Sequence, residues 1–268
     1  MNWLLKMIEC AGMSSAGGIM HKTEREEQIV EVLKSSGFVS VKDLSDILYI
    51  SESSVRRDLT ELENKGIVKR SYGGAKLITA NTNVLPFYTR AFSSVSEKKI
   101  IAQKASELIK DESIIFLDQS STAYFLAQEI CDKSGLTVIT NNIEILVLLS
   151  QYDMRVHSSG GILSKDNRNC LIGRNAQKTF ENIYADFCFF SAKSLSEDGI
   201  ISDYTQEEVF VRNSMLANAQ CKVFLCNGEK FGSHSNYKQC SLADIDYLIS
   251  EDDSAHRFEA LNKNLKIK

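Results

Sequence analysis

The chain has 268 residues and a formal net charge of −4, with 43% hydrophobic and 25% charged residues. That length suits two domains, one small and one larger, with an ordinary globular composition. The acidic balance excludes bulk coating of nucleic acid but not a locally basic surface, and no run approaches the roughly 18 apolar residues of a spanning helix, so no membrane partner is expected.

Residues 1–19 read as a disordered extension, because Lys6 and Glu9 break the apolar stretch that a signal peptide would need. From Thr23 the pattern turns helical. Thr23 and Glu26 have the spacing of a capping box, and Ile29, Val30 and Leu33 follow as an apolar stripe that Gly37 stops. Ser40 and Asp43 open a second helix with Val41, Leu44, Ile47 and Leu48 on one face. Tyr49 and Ile50 form a turn, and Ser51 is a good N-cap for a third helix that Gly66 ends. An apolar strand, the Gly73–Gly74 turn and a second strand then signal a hairpin. Three short helices and a hairpin over residues 20–78 match a winged helix-turn-helix.

On the third helix Val55, Leu59 and Leu62 share the buried side. Ser53, Arg57 and Thr60 lie opposite, flanked by Ser54 and Arg56. Guanidinium groups and small hydroxyls on an exposed face suit a helix that enters a major groove, and Ser51 at the N-terminus suits a phosphate. Between Lys65 and Arg90 there is no acidic residue, so Lys69 and Arg70 make the wing a basic strip that neutralises phosphates. The plain alternative is that Arg56 and Arg57 are solvated charges offsetting Asp58 and Glu61. The three-helix pattern and the acid-free wing favour double-stranded DNA as the partner.

A Ser/Thr/Asn-rich stretch with the only proline, Pro86, reads as a linker over residues 79–96. Over residues 97–268 helices alternate with apolar strands, among them "SIIFLD", "LTVIT", "ADFCFFSA" and "CKVFLC", which implies an α/β domain on a mainly parallel sheet. In "FLDQSSTAYFLA" a strand ends at Asp118 and a helix opens behind Ser120, Ser121 and Thr122. This is either a phosphate cradle or plain N-capping. Further strand-end loops hold Thr140 and Asn141, Gly160 and Gly161, and Lys230. Ligands gather at such loops in open α/β sheets. The seven cysteines are scattered without a C-x-x-C pair and read as buried thiols of a reducing cytoplasm; the four histidines lack metal-ligand spacing. No metal, cofactor or catalytic residue is expected.

The string Arg56, Arg57, Asp58, Leu59, Leu62, Gly66, Arg70, Gly73, Gly74, Ala75 resembles the hallmark of DeoR-type repressors of sugar metabolism. The resemblance runs from about Met20 to the C-terminal end. It implies a second domain similar to ribose-5-phosphate isomerase that binds a phosphorylated sugar or related metabolite, and a homo-oligomer that regulates a carbohydrate operon. It assigns Asp118, Ser120, Ser121 and Thr122 to a phosphate loop, and adds Thr140, Asn141, Gly160, Gly161, Lys230 and Glu207 (or Glu208) to the effector site. Two departures stand out: Ser120 for a glycine, and Cys226 for an aspartate before Lys230. A sugar-phosphate isomerase with an appended winged helix, or an adaptor that does not bind DNA, are the alternatives.

Overall fold

The computed structural model describes residues 22–78 and 85–268, so the expected extension at 1–19 lies outside the described residues. The chain forms two compact units divided between Ser93 and Ser94.

In the first unit, helices α1 (Lys22–Ser36), α2 (Val41–Leu48) and α3 (Glu52–Asn64) pack around Ile29, Leu33, Leu44, Ile47, Val55, Leu59 and Leu62, all at most 2% exposed. Strands β1 (Phe38–Ser40), β2 (Val68–Ser71) and β3 (Gly74–Leu77) form an antiparallel sheet in the order β1-β3-β2. Strand β1 was not legible beforehand, because three residues between two helices carry no periodicity. Gly74 is required by its packing: a Cβ there would stand 2.4 Å from the Val39 carbonyl oxygen on β1. The start of α1 differs from expectation. It begins at Lys22, the Thr23 side chain lies outside the described residues, and the buried Glu26 carboxylate accepts a hydrogen bond from Lys65 Nζ at 2.5 Å.

The stretch read as linker holds a short helix, α4 (Phe87–Ala91), inside the first unit. Phe87 and Thr89 are buried, and Tyr88 and Phe92 pack against the winged-helix core. The polar composition ends at Asn83, and the aromatic residues beyond it bring apolar surface that a solvated linker lacks.

The second unit is built on a seven-stranded sheet ordered β15-β14-β12-β9-β4-β5-β6, parallel throughout. The strands are β4 (Ile114–Leu117), β5 (Thr137–Thr140), β6 (Arg155–Ser158), β9 (Ala185–Phe190), β12 (Ala219–Leu225), β14 (Tyr247–Ile249) and β15 (Lys266–Ile267). Alternate residues feed two cores. Ile115, Leu117, Phe189, Val223 and Leu225 meet helices α5 (Val95–Ser106), α6 (Ser121–Glu129) and α7 (Ile143–Leu149). Phe116, Cys188, Phe190 and Phe224 meet α8 (Arg174–Glu181) and α9 (Gln206–Ala217) on the other face. This two-sided burial is why the central strands read as continuous apolar runs. Additions to the expected alternation are a hairpin of β7 (Ile162–Leu163) and β8 (Leu171–Ile172), and an antiparallel sheet of β10 (Ser194–Leu195), β11 (Ile200–Asp203) and β13 (Tyr237–Ser241). Among the described residues no helix is long and apolar enough to cross a membrane.

Candidate nucleic-acid interface and ligand site

Helix α3 is fixed from behind by polar contacts to α1. Arg25 grips Asp58 with two hydrogen bonds, Nε to Oδ2 at 2.9 Å and Nη2 to Oδ1 at 3.1 Å, and Asp58 is 1% exposed. Lys22 pairs with Glu61 and Lys65 with Glu26. Asp58 therefore belongs to the buried side of the helix and does not offset the arginines beside it. The N-terminus is closed by Ser51, whose Oγ accepts from the Ser54 N–H at 3.2 Å and lies 2.9 and 3.0 Å from the hydroxyls of Ser53 and Ser54.

The two arginines part company on the exposed side. Arg56 donates to Glu52 one turn back at 2.7 Å. Arg57 is exposed and makes no hydrogen bond or ion pair among the described residues, so its five donors face solvent. Thr60 Oγ1 accepts from Arg70 Nη1 at 2.5 Å, and the Arg70 N–H donates to Glu63 at 2.9 Å. Arg70 thus ties the wing to α3, while Lys69 stays exposed without an ion pair among the described residues. Among the predicted DNA residues, Thr60 and Arg70 are brought into contact, Arg57 and Lys69 are exposed and unengaged among the described residues, and Arg56 and Arg70 are partly neutralised by Glu52 and Glu63.

In the second unit the strands run outward from β4 through β5 and β6 in one direction, and through β9, β12, β14 and β15 in the other. The carboxyl ends of β4 and β9 are thus a topological switch point, where connections diverge and leave a crevice. Asp118 and Gln119, which leave β4 there, start two hydrogen-bond chains.

Asp118 is fully buried. It accepts from the Ser120 N–H at 3.0 Å, the Ser191 N–H at 3.2 Å and Arg212 Nε at 3.1 Å. Arg212, 1% exposed, also donates to Asp203 at 3.0 Å and to Gln239 at 2.7 Å. Burial alone would push the Arg212 guanidinium down, but the charges of Asp203 and Asp118 outweigh it and hold the group protonated. Ser191 Oγ accepts from Lys230 Nζ at 2.7 Å and donates to the Leu225 carbonyl at 2.6 Å.

Gln119 Nε2 donates to Glu208 Oε2 at 2.8 Å, and Asn167 Nδ2 donates to Glu208 Oε1 at 3.0 Å. Asn141 Nδ2 donates to the Leu171 carbonyl at 3.2 Å and reaches Gln119 Oε1 at 3.5 Å. The amide oxygens of Asn141, Asn167 and Asn227 are buried without a hydrogen-bond partner among the described residues. Leaving such an oxygen dry costs about 1–3 kcal/mol. Between the two chains lies the start of α6. Ser120 caps it through the Ala123 N–H at 3.0 Å, and the Ser121 and Thr122 N–H groups lie in its first turn, which has no intrahelical acceptors.

The residues expected at the effector site separate accordingly. Ser120, Ser121, Thr122, Asn141 and Lys230 belong to the crevice loops. Asp118 lies under them with both oxygens taken by protein donors. Thr140 accepts from the Asn142 N–H at 3.0 Å and shapes its own loop. Gly160 and Gly161 are exposed beyond β6, two strands from β4; a Cβ on Gly161 would stand 2.4 Å from the Ile172 carbonyl oxygen, so this glycine serves the β7–β8 hairpin. Glu207 is exposed, and the acid turned inward is its neighbour Glu208. The expectation for Cys226 is corrected. Its side chain is in the hydrophobic core, where burial pushes the thiol up to about 12. In the D-x-S-K-F string that the resemblance to DeoR-type repressors implies for this loop, the acid lies three residues before the lysine, the place of Asn227 in this sequence. Gln119, Asn167 and Ser191 were not predicted. Gln119 sits inside the "DQSST" string and was open to notice; Asn167 and Ser191 come from loops with no motif.

Comparison with known proteins covers both units. Residues 25–81 match the model of the DeoR-like helix-turn-helix domain, and residues 93–252 match that of the DeoR C terminal sensor domain. The HTH-type transcriptional regulator GolR of Listeria innocua is 33% identical over 87% of this chain and 91% of its own length. The lactose phosphotransferase system repressor of Streptococcus mutans is 30% identical over 92% of this chain and 99% of its own. The glycerol-3-phosphate regulon repressor of Escherichia coli is 27% identical over 87% and 92%. Among solved structures, ribose 5-phosphate isomerase A of Methanocaldococcus jannaschii shares 18% identity over 50% of this chain and 53% of that one, at a TM-score of 0.38, a likeness too slight to carry an inference.

Proposed function

Because the chain belongs to the DeoR family of transcriptional regulators, we propose that it is a DNA-binding repressor of a carbohydrate operon, released or retained by a phosphorylated sugar. The observation that carries the reading is one chain with two kinds of polar surface: unengaged Arg57 and Lys69 on the winged-helix unit, and a crevice at the strand switch point of the other. Arg57 takes base edges in the major groove, where a guanidinium can donate two bonds to guanine. Arg56, Lys69 and Arg70 hold phosphates, Ser51, Ser53 and Ser54 approach the backbone at the helix start, and Thr60 positions Arg70. Two copies place two such helices on repeated half-sites.

In the α/β unit the effector phosphate rests on the first turn of α6 at Ser120, Ser121 and Thr122, with Lys230 as its cation. Asp118 and Arg212 hold that turn and Ser191 in register. The effector prefers one arrangement of the oligomer and so changes its affinity for DNA. The protein works in the cytoplasm and catalyses no reaction. The named functions of the relatives support this reading over the isomerase alternative, under which sugar phosphates would be turned over at enzyme-like rates. An operator-shift assay on the upstream region of its own gene, with Arg57→Ala beside the parent, tests the DNA-binding part. Unchanged affinity in Arg57→Ala would contradict it.

A further inference from the structure

Among the described residues of the first unit, the backbone is left-handed at Gly37, Gly66, Gly73 and Tyr49, the last with φ at 53°. Gly37 and Gly66 follow the ends of α1 and α3, and Tyr49 follows the end of α2. A Cβ makes this conformation costly, and a bulky ring is a poor choice for it where glycine serves elsewhere. Local bonds hold Tyr49 there. Its N–H and that of Ile50 donate to the Ser45 carbonyl, the second at 3.2 Å, and Ser45 Oγ donates to the Ile50 carbonyl at 2.5 Å. Ile50 packs against the winged-helix core. None of these contacts uses the tyrosine side chain, which is 82% exposed and makes no hydrogen bond among the described residues. Strain that the fold does not use points to a side chain kept for another purpose. Tyr49 stands two residues before Ser51, so its Cα lies within about 7 Å of the residue that opens α3.

We propose that Tyr49 is a contact to the DNA backbone: its hydroxyl donates to a phosphate oxygen, and its ring covers the adjoining sugar, beside the start of α3. The proposal rests on the reading of α3 as the helix that enters the major groove. Contacts to phosphate and sugar fix register and carry no sequence information. A tyrosine adds no charge, so its contact releases no counterion. Tyr49 thus differs from Arg57, whose loss is felt at base edges, and from Lys69, whose loss lowers the salt slope.

The test titrates the full chain against the upstream region of its own gene and against an unrelated duplex of equal length, at several salt concentrations. The parent, Tyr49→Gly, Tyr49→Phe and Arg57→Ala are compared, with Tm measured for each. Glycine removes the side chain and relieves the backbone, and this relief offsets the extra freedom that glycine has in the unfolded chain. Tyr49→Gly should therefore keep or raise Tm, yet bind both duplexes about tenfold more weakly. Tyr49→Phe keeps the ring and should lose about threefold on both. The slope of log affinity against log salt should stay that of the parent in both variants. Parent-like binding by Tyr49→Gly, a loss on the operator alone, a reduced salt slope or a fall in Tm would each overturn the proposal, and full affinity of Tyr49→Phe would overturn the hydroxyl contact. Parent-like Tyr49→Gly beside a weakened Arg57→Ala would leave the reading of α3 standing. A parent that binds neither duplex would overturn both.

Discussion

Each unit of the chain ties an arginine to a buried aspartate, and the two ties have different consequences. Arg25 reaches Asp58 from the surface, with 20% of its side chain exposed. The pair fixes the back of α3 and leaves the front free for Arg57. Arg212 lies wholly inside and joins Asp118, Asp203 and Gln239 under the crevice. The winged-helix unit thus spends its buried polar contacts on presenting charge to solvent. The α/β unit uses them to lock Asp118, Asp203 and Ser191 beneath the strand ends at the switch point. One surface is suited to a polyanion that arrives from outside, the other to a small ligand held at the strand ends.

Removing each arginine should expose that difference. Arg212→Met strands two buried carboxylates and should destabilise the α/β unit by about 3–5 kcal/mol in urea unfolding. Arg25→Ala strands the single buried carboxylate of Asp58 but opens a path for water where the part-exposed Arg25 side chain lay, and should cost the winged-helix unit about 1–3 kcal/mol. Equal costs would mean that the two ties are alike. Arg57→Ala touches neither core. It should lower operator affinity by about 1–3 kcal/mol, roughly 10- to 100-fold, with no change in Tm. A fall in Tm would assign Arg57 to the scaffold. The smallest effect belongs to Lys69→Ala, which should reduce the slope of log affinity against log salt by about 1 in an operator titration. An unchanged slope would remove the wing lysine from the phosphate contacts.

Local pattern accounts for what was legible in the sequence. Val55, Leu59 and Leu62 fall on one helical face, so their burial and the exposure of Arg57 follow from a period of 3.6. The central strands β4, β5, β9 and β12 were visible as apolar runs because both their faces are covered, whereas the two-residue edge strand β15 was not legible. What stayed hidden depends on distant partners. Asp58 looks like a surface acid beside Arg57 until Arg25, 33 residues earlier, closes on it. Glu207 and Glu208 cannot be ranked from their helix alone, since only the fold brings Gln119 and Asn167 to Glu208. Strands β1, β7, β8 and β10 are two or three residues long and show no periodicity at all. The phosphate loop was legible as a string, but the role of its aspartate was not, because Arg212 lies 94 residues away.

The most direct test of the account joins the two surfaces in one experiment. Operator DNA bound to the full chain is titrated with the sugar phosphate that raises Tm most in a thermal-shift screen, for the parent and for Ser121→Ala, Thr122→Ala. The account predicts that the ligand changes DNA affinity of the parent at least about fivefold, and leaves that of the double variant unchanged although it still binds DNA. An equal response in both would contradict a phosphate site at the start of α6.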